Sequence, residues 1–278
     1  FHLRMAHYVT KYVNVYKILD LTDAVSLFLK RRKDYAPFYL KPIFNREQAR
    51  VLCYEREIVQ YFEESWIIST IDRDAIWSRP YPGNVSIIPN GVDITYFSPQ
   101  KPKSHTHNII FVGYMGAESV DAITYFYKEI FPLVKRHVPK AKFYIVGANP
   151  PKQIKNLEQD SDVILTGFVD DLRVYYNEAA VAIAPMRFVA GMQNKILEAM
   201  AMEVPVVTTK GGNEGIDAKD GDEIFVADNP TDFANKVIHL LNDWELGRKM
   251  GSKARELVKN RFCWDAVVQR MDKMGYCY

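Results

Sequence analysis

Short apolar runs alternate with amphipathic segments along the chain after position 107. The runs are rich in Val and Ile and end at glycine, proline or polar residues, as buried strands do. The segments between them repeat apolar residues with the period of a helix. Predicted strands cover residues 108–113, 141–147, 162–169, 180–186, 204–209 and 223–228. Predicted helices cover residues 119–137, 150–159, 171–179, 194–202 and 230–243, followed by two terminal helices.

Strands that alternate with helices pair in parallel through right-handed crossovers. This pattern therefore predicts an α/β fold with a doubly wound parallel sheet in the C-terminal part of the chain.

The first 95 residues have a more mixed pattern. Residues 16–32 read as a short strand, a turn at Asp20 to Asp23 and a helix. Residues 45–65 read as one long helix, and "WIIST" and "NVSIIPNGVD" as strands. The polar, proline-containing stretch 96–107 is typical of a linker. We therefore predict two units, 1–95 and 108 onward, joined by residues 96–107.

Composition excludes several classes of protein. The net charge of +2 gives no strong field for nucleic acid, so no nucleic-acid partner is expected. No apolar run reaches the length of roughly 18–20 residues that crosses a bilayer. The three cysteines are too few and too scattered for a disulfide framework or a metal site, which favours a reducing cytoplasm. The basic run "KRRK" (residues 30–33) is either a solvated loop or a contact with anionic lipid.

The ends of the predicted strands are the places to look for function, because doubly wound sheets bind ligands outside the carboxyl ends of their strands. At those ends the sequence has Gly113, Gly147, Gly167 and the loop 186–194. In the first half, Asp20 and Asp23 end another predicted strand and could face the same cleft. Helix capping by Asp23 or Thr22 is an equally consistent reading of that segment.

Lys195 and Glu198 lie three residues apart at the start of the predicted helix 194–202, so their side chains share one face. A lysine near a positively polarised helix start is most useful when an anion such as a phosphate lies beside it. A carboxylate one turn later can accept hydrogen bonds from a ribose diol. Arg187 adds a second cation in the preceding loop. A surface ion pair is the simpler alternative for the same spacing.

The ordered set of motifs resembles a known family. "SIIPNGVDITYFSP", "IIFVGYM", "AKFYIVG", "VILTGFVDDLRVYY", "VAIAPMRFVAGMQNKILEAMAMEVPVVTT" and "NEGI" follow the pattern of GT-B glycosyltransferases of family four, in the branch that builds bacterial surface polysaccharides. "ILDLTDAVSLFLKRR" and "YEREIVQYFEESWIISTIDRDAI" resemble the later part of that branch's N-terminal domain. The resemblance thus implies a GT-B fold with an incomplete Rossmann-like N-terminal domain whose front portion is not in this sequence.

The resemblance also assigns domains. Residues 1–95 would be the remainder of the acceptor-side domain and residues 108–258 the nucleotide-sugar-binding domain. Residues 259–278 would form a terminal helix that crosses back to the N-terminal domain.

The resemblance implies a role for each motif residue. Glu198 would bind the ribose hydroxyls, and Lys195, aided by Arg187, would stabilise the diphosphate during catalysis. The backbone of Gly191 to Gln193 would face the sugar and phosphates, while Phe168 and Val169 would meet the nucleobase through main-chain groups. The full donor-binding set implied in this way is Glu198, Gly113, Tyr114, Phe168, Val169, Gly191, Met192, Gln193, Asn194 and Glu214.

Three positions depart from the family pattern. Many members carry a glutamate where Ala190 stands and an arginine where Tyr114 stands. Glu203 occupies a helix-ending position that is usually glycine in the family. If this position adopts a left-handed conformation, a non-glycine residue there costs about 1 kcal/mol or more.

The expected activity is that of a retaining glycosyltransferase, specifically a hexosyltransferase of surface polysaccharide biosynthesis. It would transfer sugar from a nucleoside-diphosphate sugar to a glycan or lipid-linked acceptor. No metal or other cofactor is expected. The expected location is the cytoplasm, with peripheral contact at the inner membrane face left open.

Two other functions stay open on sequence alone. One is a catalytically incomplete module that binds nucleotide without turnover, which the three departures favour. The other is a GT-B-type sugar-nucleotide epimerase, although no convincing acid–base pair is evident. A dinucleotide-dependent dehydrogenase is disfavoured, because "GYMGAES" after the first strand lacks the G-x-G-x-x-G pattern.

Overall fold

The computed structural model describes residues 1–100 and 105–275. Residues 101–104 of the predicted linker and residues 276–278 of the predicted terminal helix lie outside this range. The described chain forms two parallel sheets with helices packed against them. The α/β class predicted from the alternating pattern is therefore confirmed.

The N-terminal unit is built on a small sheet of order β1-β2-β3. Its elements in chain order are α1 (Leu3–Val9), β1 (Ile18–Thr22), α2 (Val25–Asp34), α3 (Lys41–Ile58), β2 (Glu64–Ile67), α4 (Thr70–Ile76) and β3 (Val85–Ile87). Both strand pairs are parallel, with Leu19 opposite Ser65 and Trp66 opposite Ser86. The core of the unit comprises buried side chains from the strands and helices, including Leu19, Leu21, Ile58, Phe62, Ile67 and Ile76.

The C-terminal unit contains a six-stranded parallel sheet. Its strands are β4 (Asn108–Val112), β5 (Lys142–Val146), β6 (Val163–Gly167), β7 (Val181–Ala184), β8 (Val206–Thr208) and β9 (Phe225–Val226). The strand order is β6-β5-β4-β7-β8-β9. Strand order therefore reverses between β4 and β7, which makes the carboxyl ends of these two strands the expected place for a ligand.

Helices cover both faces of this sheet. They are α5 (Ala117–Tyr125), α6 (Phe131–His137), α7 (Lys152–Lys155), α8 (Leu172–Glu178), α9 (Asn194–Ala201), α10 (Lys210–Asn213), α11 (Pro230–Asn242), α12 (Trp244–Arg261) and α13 (Trp264–Lys273). Helix α9 buries Ile196, Leu197 and Met200, and this apolar face fixes the rotation of the helix about its axis. Lys195 and Glu198 consequently lie on the face that is not in the core.

Element boundaries differ from the sequence predictions mainly in the N-terminal unit. Asp20 belongs to β1 and pairs with Trp66, so the predicted turn begins only after Thr22. The predicted helix 45–65 ends as an α-helix at Ile58, because Glu64 and Ser65 pair with β1. Ser69, predicted to lie in the strand "WIIST", instead caps α4 by accepting a hydrogen bond from the Asp72 N–H. The boundaries of these elements are therefore set by strand pairing and helix capping in the folded structure.

The long predicted helix 119–137 is interrupted by a π-helical segment at Phe126–Ile130. Pro132 follows this segment and has no N–H with which to continue the regular α-helical hydrogen bonds. The distortion keeps Phe126 and Phe131 in the core. Periodicity alone does not reveal such an insertion.

Residues 262–264 pack next to the Pro-Asn-Gly turn of residues 89–91. The Val92 N–H donates to the Phe262 carbonyl at 2.8 Å, and a Cβ on Gly91 would lie 2.5 Å from the Trp264 ring. Helix α13 begins at Trp264 after Cys263 caps it through its sulfur. Within the described ranges, no helix has both the length and the apolar composition needed to cross a membrane.

Glu203 adopts a left-handed conformation, with φ +56°. The Val204 N–H donates to the Ala199 carbonyl and the Glu203 N–H to the Met200 carbonyl, which is the Schellman arrangement at the end of α9. The condition stated for this position, a left-handed conformation, is therefore met. A glutamate is strained at a position that glycine adopts freely.

We predict that Glu203→Gly is more stable than Glu203→Ala by about 1 kcal/mol. Both variants remove the carboxylate that lies 3.9 Å from Arg255, so their difference isolates the backbone conformation. Urea denaturation of the two variants measures the free energies of unfolding. Equal stabilities would show that the left-handed conformation carries no strain.

Candidate functional site

A cleft of about 510 Å3 opens at the carboxyl ends of β4, β5 and β6. Its walls come from the turns after these strands and from the start of α9. The lining residues include the predicted Gly113, Tyr114, Phe168, Val169, Met192, Asn194, Lys195 and Glu198. The structure thus brings most of the predicted donor-binding residues into one cavity, at the point where strand order reverses.

Two glycines allow the strand ends to approach closely in this cleft. A Cβ on Gly147 would overlap the Gly113 carbonyl oxygen and lie 2.7 Å from the Met115 Cε. A Cβ on Gly113 would lie 3.0 Å from the Lys195 Cε. Gly113 therefore leaves room for the lysine chain to cross the carboxyl end of β4.

Lys195 is half-buried beside the apolar end of the sheet. Its Nζ donates to Gln193 Oε1 at 3.2 Å and lies 5.3 Å from the centre of the Phe111 ring. Within residues 1–100 and 105–275, no carboxylate oxygen lies within 4.0 Å of this ammonium. Burial lowers the pKa of Lys195 to about 8, while Glu118 and Glu198 oppose the shift from a greater distance. An anionic ligand would supply the counterion that the described residues do not.

Glu198 lies one turn further along α9, where Tyr176 supports it. The Tyr176 hydroxyl is 3.3 Å from both Glu198 Oε2 and the Lys195 carbonyl oxygen. Burial raises the pKa of the Glu198 carboxyl, and the hydrogen bond from Tyr176 opposes this rise. Sequence reasoning missed Tyr176, because its segment showed only helical periodicity.

Two aromatic rings stand at the mouth of the cleft. Tyr114 is 77% exposed after β4, and Phe168 is 75% exposed after β6. Large apolar side chains this exposed at the mouth of a cavity are available to contact a planar ligand. Asn194 lies nearby and accepts a hydrogen bond from Asn90 Nδ2 at 2.7 Å, which links the cleft to the N-terminal unit.

Arg187 and Glu214 line a second cleft, of about 580 Å3, and not the cleft that contains Lys195. Arg187 forms a two-point ion pair with Asp121, and its guanidinium lies between the rings of Tyr35 and Tyr125 at 4.6 and 4.8 Å. Arg187, which was predicted to assist Lys195, is thus already paired with Asp121. Its side chain lines the second cleft. The structure therefore does not bring Arg187 together with Lys195.

Glu214 is paired with Arg31 across the two units, at 2.5 Å. The same guanidinium donates to the Val189 carbonyl at 2.7 Å. Arg32 lies over the Phe44 ring at 5.4 Å. Two of the four cations in the "KRRK" run are thus engaged in protein contacts, so the run is not a continuous basic patch for lipid.

Gly191 has φ +70° and packs against the N-terminal unit. Its N–H donates to Asp72 Oδ1 at 3.0 Å, and a Cβ at this position would lie 2.7 Å from the Asp23 Cβ. The Gly191 N–H, expected to face the sugar and phosphates, is instead directed to a buried carboxylate. Burial, followed by the neighbouring charge of Asp72, raises the pKa of Asp23.

The sequence does not single out Asp72 and Asp121, because their partners in the loop before α9, Gly191 and Arg187, are 119 and 66 residues away. For Asp23 the sequence allows either a position facing the cleft or a role as a helix cap. The structure places it against Gly191, next to the start of α9.

A larger cavity, of about 800 Å3, lies near Pro205, Ala180 and Trp244, at the amino ends of the strands. Doubly wound sheets do not place their ligands at that edge. In the part of the chain that the structure describes, no group of three His, Cys, Asp or Glu side chains is arranged to hold a metal ion.

Comparison with known proteins gives consistent similarities. Residues 106–243 match the family described as "Glycosyl transferases group 1". An uncharacterized 44.6 kDa protein in the cps region of Klebsiella pneumoniae is 25% identical over 243 residues, covering 81% of this chain and 62% of that protein. The capsular polysaccharide biosynthesis glycosyltransferase CapM of Staphylococcus aureus is 31% identical over 121 residues, covering 42% of this chain and 31% of CapM.

A solved structure of a TarM variant from S. aureus, in complex with fondaparinux, α-GlcNAc-glycerol and UDP, superposes with a TM-score of 0.75 at 18% identity. It covers 98% of this chain and 53% of TarM. The fold is therefore that of the GT-B glycosyltransferases. The chain spans less than two thirds of the length of each of these three proteins.

The half-buried ammonium of Lys195 generates a stability prediction with a defined pH dependence. Its folded-state pKa of about 8 lies below its ordinary value of 10.5. Below pH 8 the Lys195 amine is protonated in both the folded and the unfolded state. The burial of its charge then lowers the free energy of unfolding by its full amount. As pH rises toward 10.5, Lys195 loses its proton in the folded state before it does so in the unfolded state. The destabilisation caused by the buried charge then disappears.

We therefore predict that Lys195→Met raises the free energy of unfolding by about 1–3 kcal/mol near neutral pH and by much less above the unfolded-state pKa. Denaturant titrations across this range measure the difference. Lys249→Met, at an exposed position on α12, is the matched control and should change stability by less than about 0.5 kcal/mol. A Lys195→Met protein less stable than wild type at neutral pH would contradict the assignment.

Proposed function

We propose that this chain is the donor-binding part, with a portion of the acceptor side, of a glycosyltransferase that uses a nucleoside-diphosphate sugar. The observation that carries the proposal is the half-buried ammonium of Lys195, one helical turn from Glu198, in the cleft where strand order reverses. This combination suits a diphosphate next to a ribose.

The order of groups along α9 gives the proposed pose of the donor. Glu198 accepts hydrogen bonds from the ribose hydroxyls, and Lys195 binds the diphosphate toward the start of the helix. The nucleobase lies toward Phe168 and Val169, at the end of β6. The transferred sugar then lies on the side of Gly191, where the N-terminal unit meets the loop.

The relatives support a donor of this kind. The TarM complex contains UDP, and CapM is a glycosyltransferase of capsular polysaccharide biosynthesis. We therefore choose UDP as the first ligand to test. By the same analogy, we propose surface polysaccharide assembly as the process and a glycan or lipid-linked molecule as the acceptor. Residence in the cytoplasm and peripheral membrane contact stay predictions.

The proposed chemistry follows from the charges in the cleft. When the bond between the sugar and the diphosphate breaks, its electron pair passes to the diphosphate and the sugar gains positive character. The Lys195 ammonium, fixed beside Gly113, stabilises the leaving diphosphate without moving. Removal of one such preorganised donor typically slows an enzyme about 100–1,000-fold. We include retention of anomeric configuration in the proposal because the family resemblance implies it.

A nucleotide-binding module without turnover is the second candidate. The ion pair of Arg187 with Asp121 favours it, because this pair leaves Lys195 without the second cation expected near the diphosphate. Ala190 also favours a module without turnover, because many members of the family that the sequence resembles have a glutamate at this position. Release of free sugar or glycosyl transfer would decide for the enzyme.

We predict that UDP raises the melting temperature of the wild-type protein and that Glu198→Ala abolishes this shift, because the ribose loses its acceptor. Differential scanning fluorimetry across a panel of nucleoside diphosphates provides the measurement. Glu178→Ala removes an exposed glutamate from neighbouring α8 and should keep the full shift. A UDP shift that persists in Glu198→Ala would refute the ribose role.

A further inference from the structure

The Asp72 carboxylate joins the two units. It is 1% exposed, near the start of α4, and its bonds reach backbone groups of both units. Its Oδ1 accepts the N–H of Ala24 and the N–H of Gly191, each at 3.0 Å. Its Oδ2 accepts the Ser69 hydroxyl, and Ser69 Oγ accepts the Asp72 N–H at 3.1 Å.

The buried Asp72 carboxylate is held by hydrogen bonds from neutral groups. In the described parts of the chain, no Lys, Arg or His nitrogen lies within 4.0 Å of Asp72. The Ala24 N–H stands at the start of α2, where the helix dipole favours negative charge. A hydrogen bond from a neutral donor to a charged acceptor contributes about 1.5–3 kcal/mol, more than a neutral pair. The bond to Gly191 is therefore a strong contact between the units.

The position of Gly191 gives this contact a role in the site. Gly191 lies three residues before Asn194, where α9 begins, and four before Lys195. Its positive φ directs the N–H toward Asp72, and the absence of a Cβ lets Asp23 pack against it. The bond from Asn90 to Asn194 holds the next turn from the same side. The N-terminal unit thus fixes the backbone from which Lys195 projects.

We propose that Asp72 is a positioning residue for donor binding: it ties the loop 189–193 to the N-terminal unit and so holds in place the start of α9, whose apolar face sets the direction of Lys195. The proposal rests on the function proposed above and adds a contribution from the other unit. Donor affinity then depends on contact between the units as well as on the residues that line the cleft.

The experiment measures hydrogen exchange and UDP affinity in three variants. Asp72→Ala removes the acceptor, and Asp72→Asn keeps an oxygen in the place of Oδ1. Asp74→Ala, at an exposed position on the same helix, is the matched control. Exchange of the peptide that covers residues 189–193 reports on the loop, and exchange of peptides that cover α2 and α4 reports on the N-terminal unit.

Loss of the bond in Asp72→Ala should speed exchange in residues 189–193 by about 10–100-fold and weaken UDP binding about tenfold, because a charged hydrogen bond is lost. Asp72→Asn should recover most of both effects, and Asp74→Ala should match wild type. Faster exchange confined to α2 and α4, with UDP affinity unchanged, would show a structural role within the N-terminal unit and overturn the proposal.

Gly191→Ala keeps the test decisive if Asp72→Ala does not fold. Its Cβ would meet Asp23 at 2.7 Å and push the loop from the N-terminal unit, while the bonds of Asp72 to Ala24 and Ser69 remain. The same faster exchange and weaker UDP binding are expected, and wild-type behaviour would contradict the proposal. Exchange in residues 189–193 needs no nucleotide, so it tests Asp72 even if Glu198→Ala shows that the ribose role is wrong.

Discussion

The site depends on one arrangement: an ammonium held half-buried at a strand end without a carboxylate beside it in the described structure. Lys195 reaches this place because Gly147 and Gly113 let two strand ends and a lysine chain approach closely. The apolar face of α9 fixes the direction in which the lysine leaves the helix. Burial makes the charge costly to keep, so the protein retains at this point a group that a bound anion would stabilise.

The N-terminal unit helps to shape this site although the lining residues of the cleft belong to the C-terminal unit. Its side chains contact the segment 187–191 at several points. Tyr35 stacks on Arg187, Phe28 lies against Phe188 and Arg31 binds the Val189 carbonyl. Asp23 packs against Gly191, and Asp72 accepts the Gly191 N–H. The conformation of the loop before α9 is thus determined from outside its own sheet. The proposed donor site on the C-terminal unit is in this way linked to the position of the N-terminal unit.

The sequence predicted the C-terminal sheet well, because most of its strands are short, mainly buried runs that alternate with amphipathic helices. The shared face of Lys195 and Glu198 followed from helical spacing. For Glu203, the resemblance indicated a helix-ending position that is usually glycine, and the structure shows that its conformation is left-handed. The environment of Arg187 did not follow, because its partner Asp121 lies 66 residues earlier on another element. The role of Asp72 did not follow either, because its partner Gly191 is also distant in sequence. The boundaries of the N-terminal strands and helices were missed because pairing between distant segments decides which residues form strands.

A crystal structure of the protein with UDP tests the central claim most directly. The account predicts electron density for the diphosphate within hydrogen-bond distance of Lys195 Nζ and for the ribose hydroxyls within hydrogen-bond distance of the Glu198 carboxylate. UDP bound in the cleft beside Arg187 and Glu214 would contradict it. So would UDP bound in the predicted cleft with Lys195 and Glu198 directed away from the nucleotide.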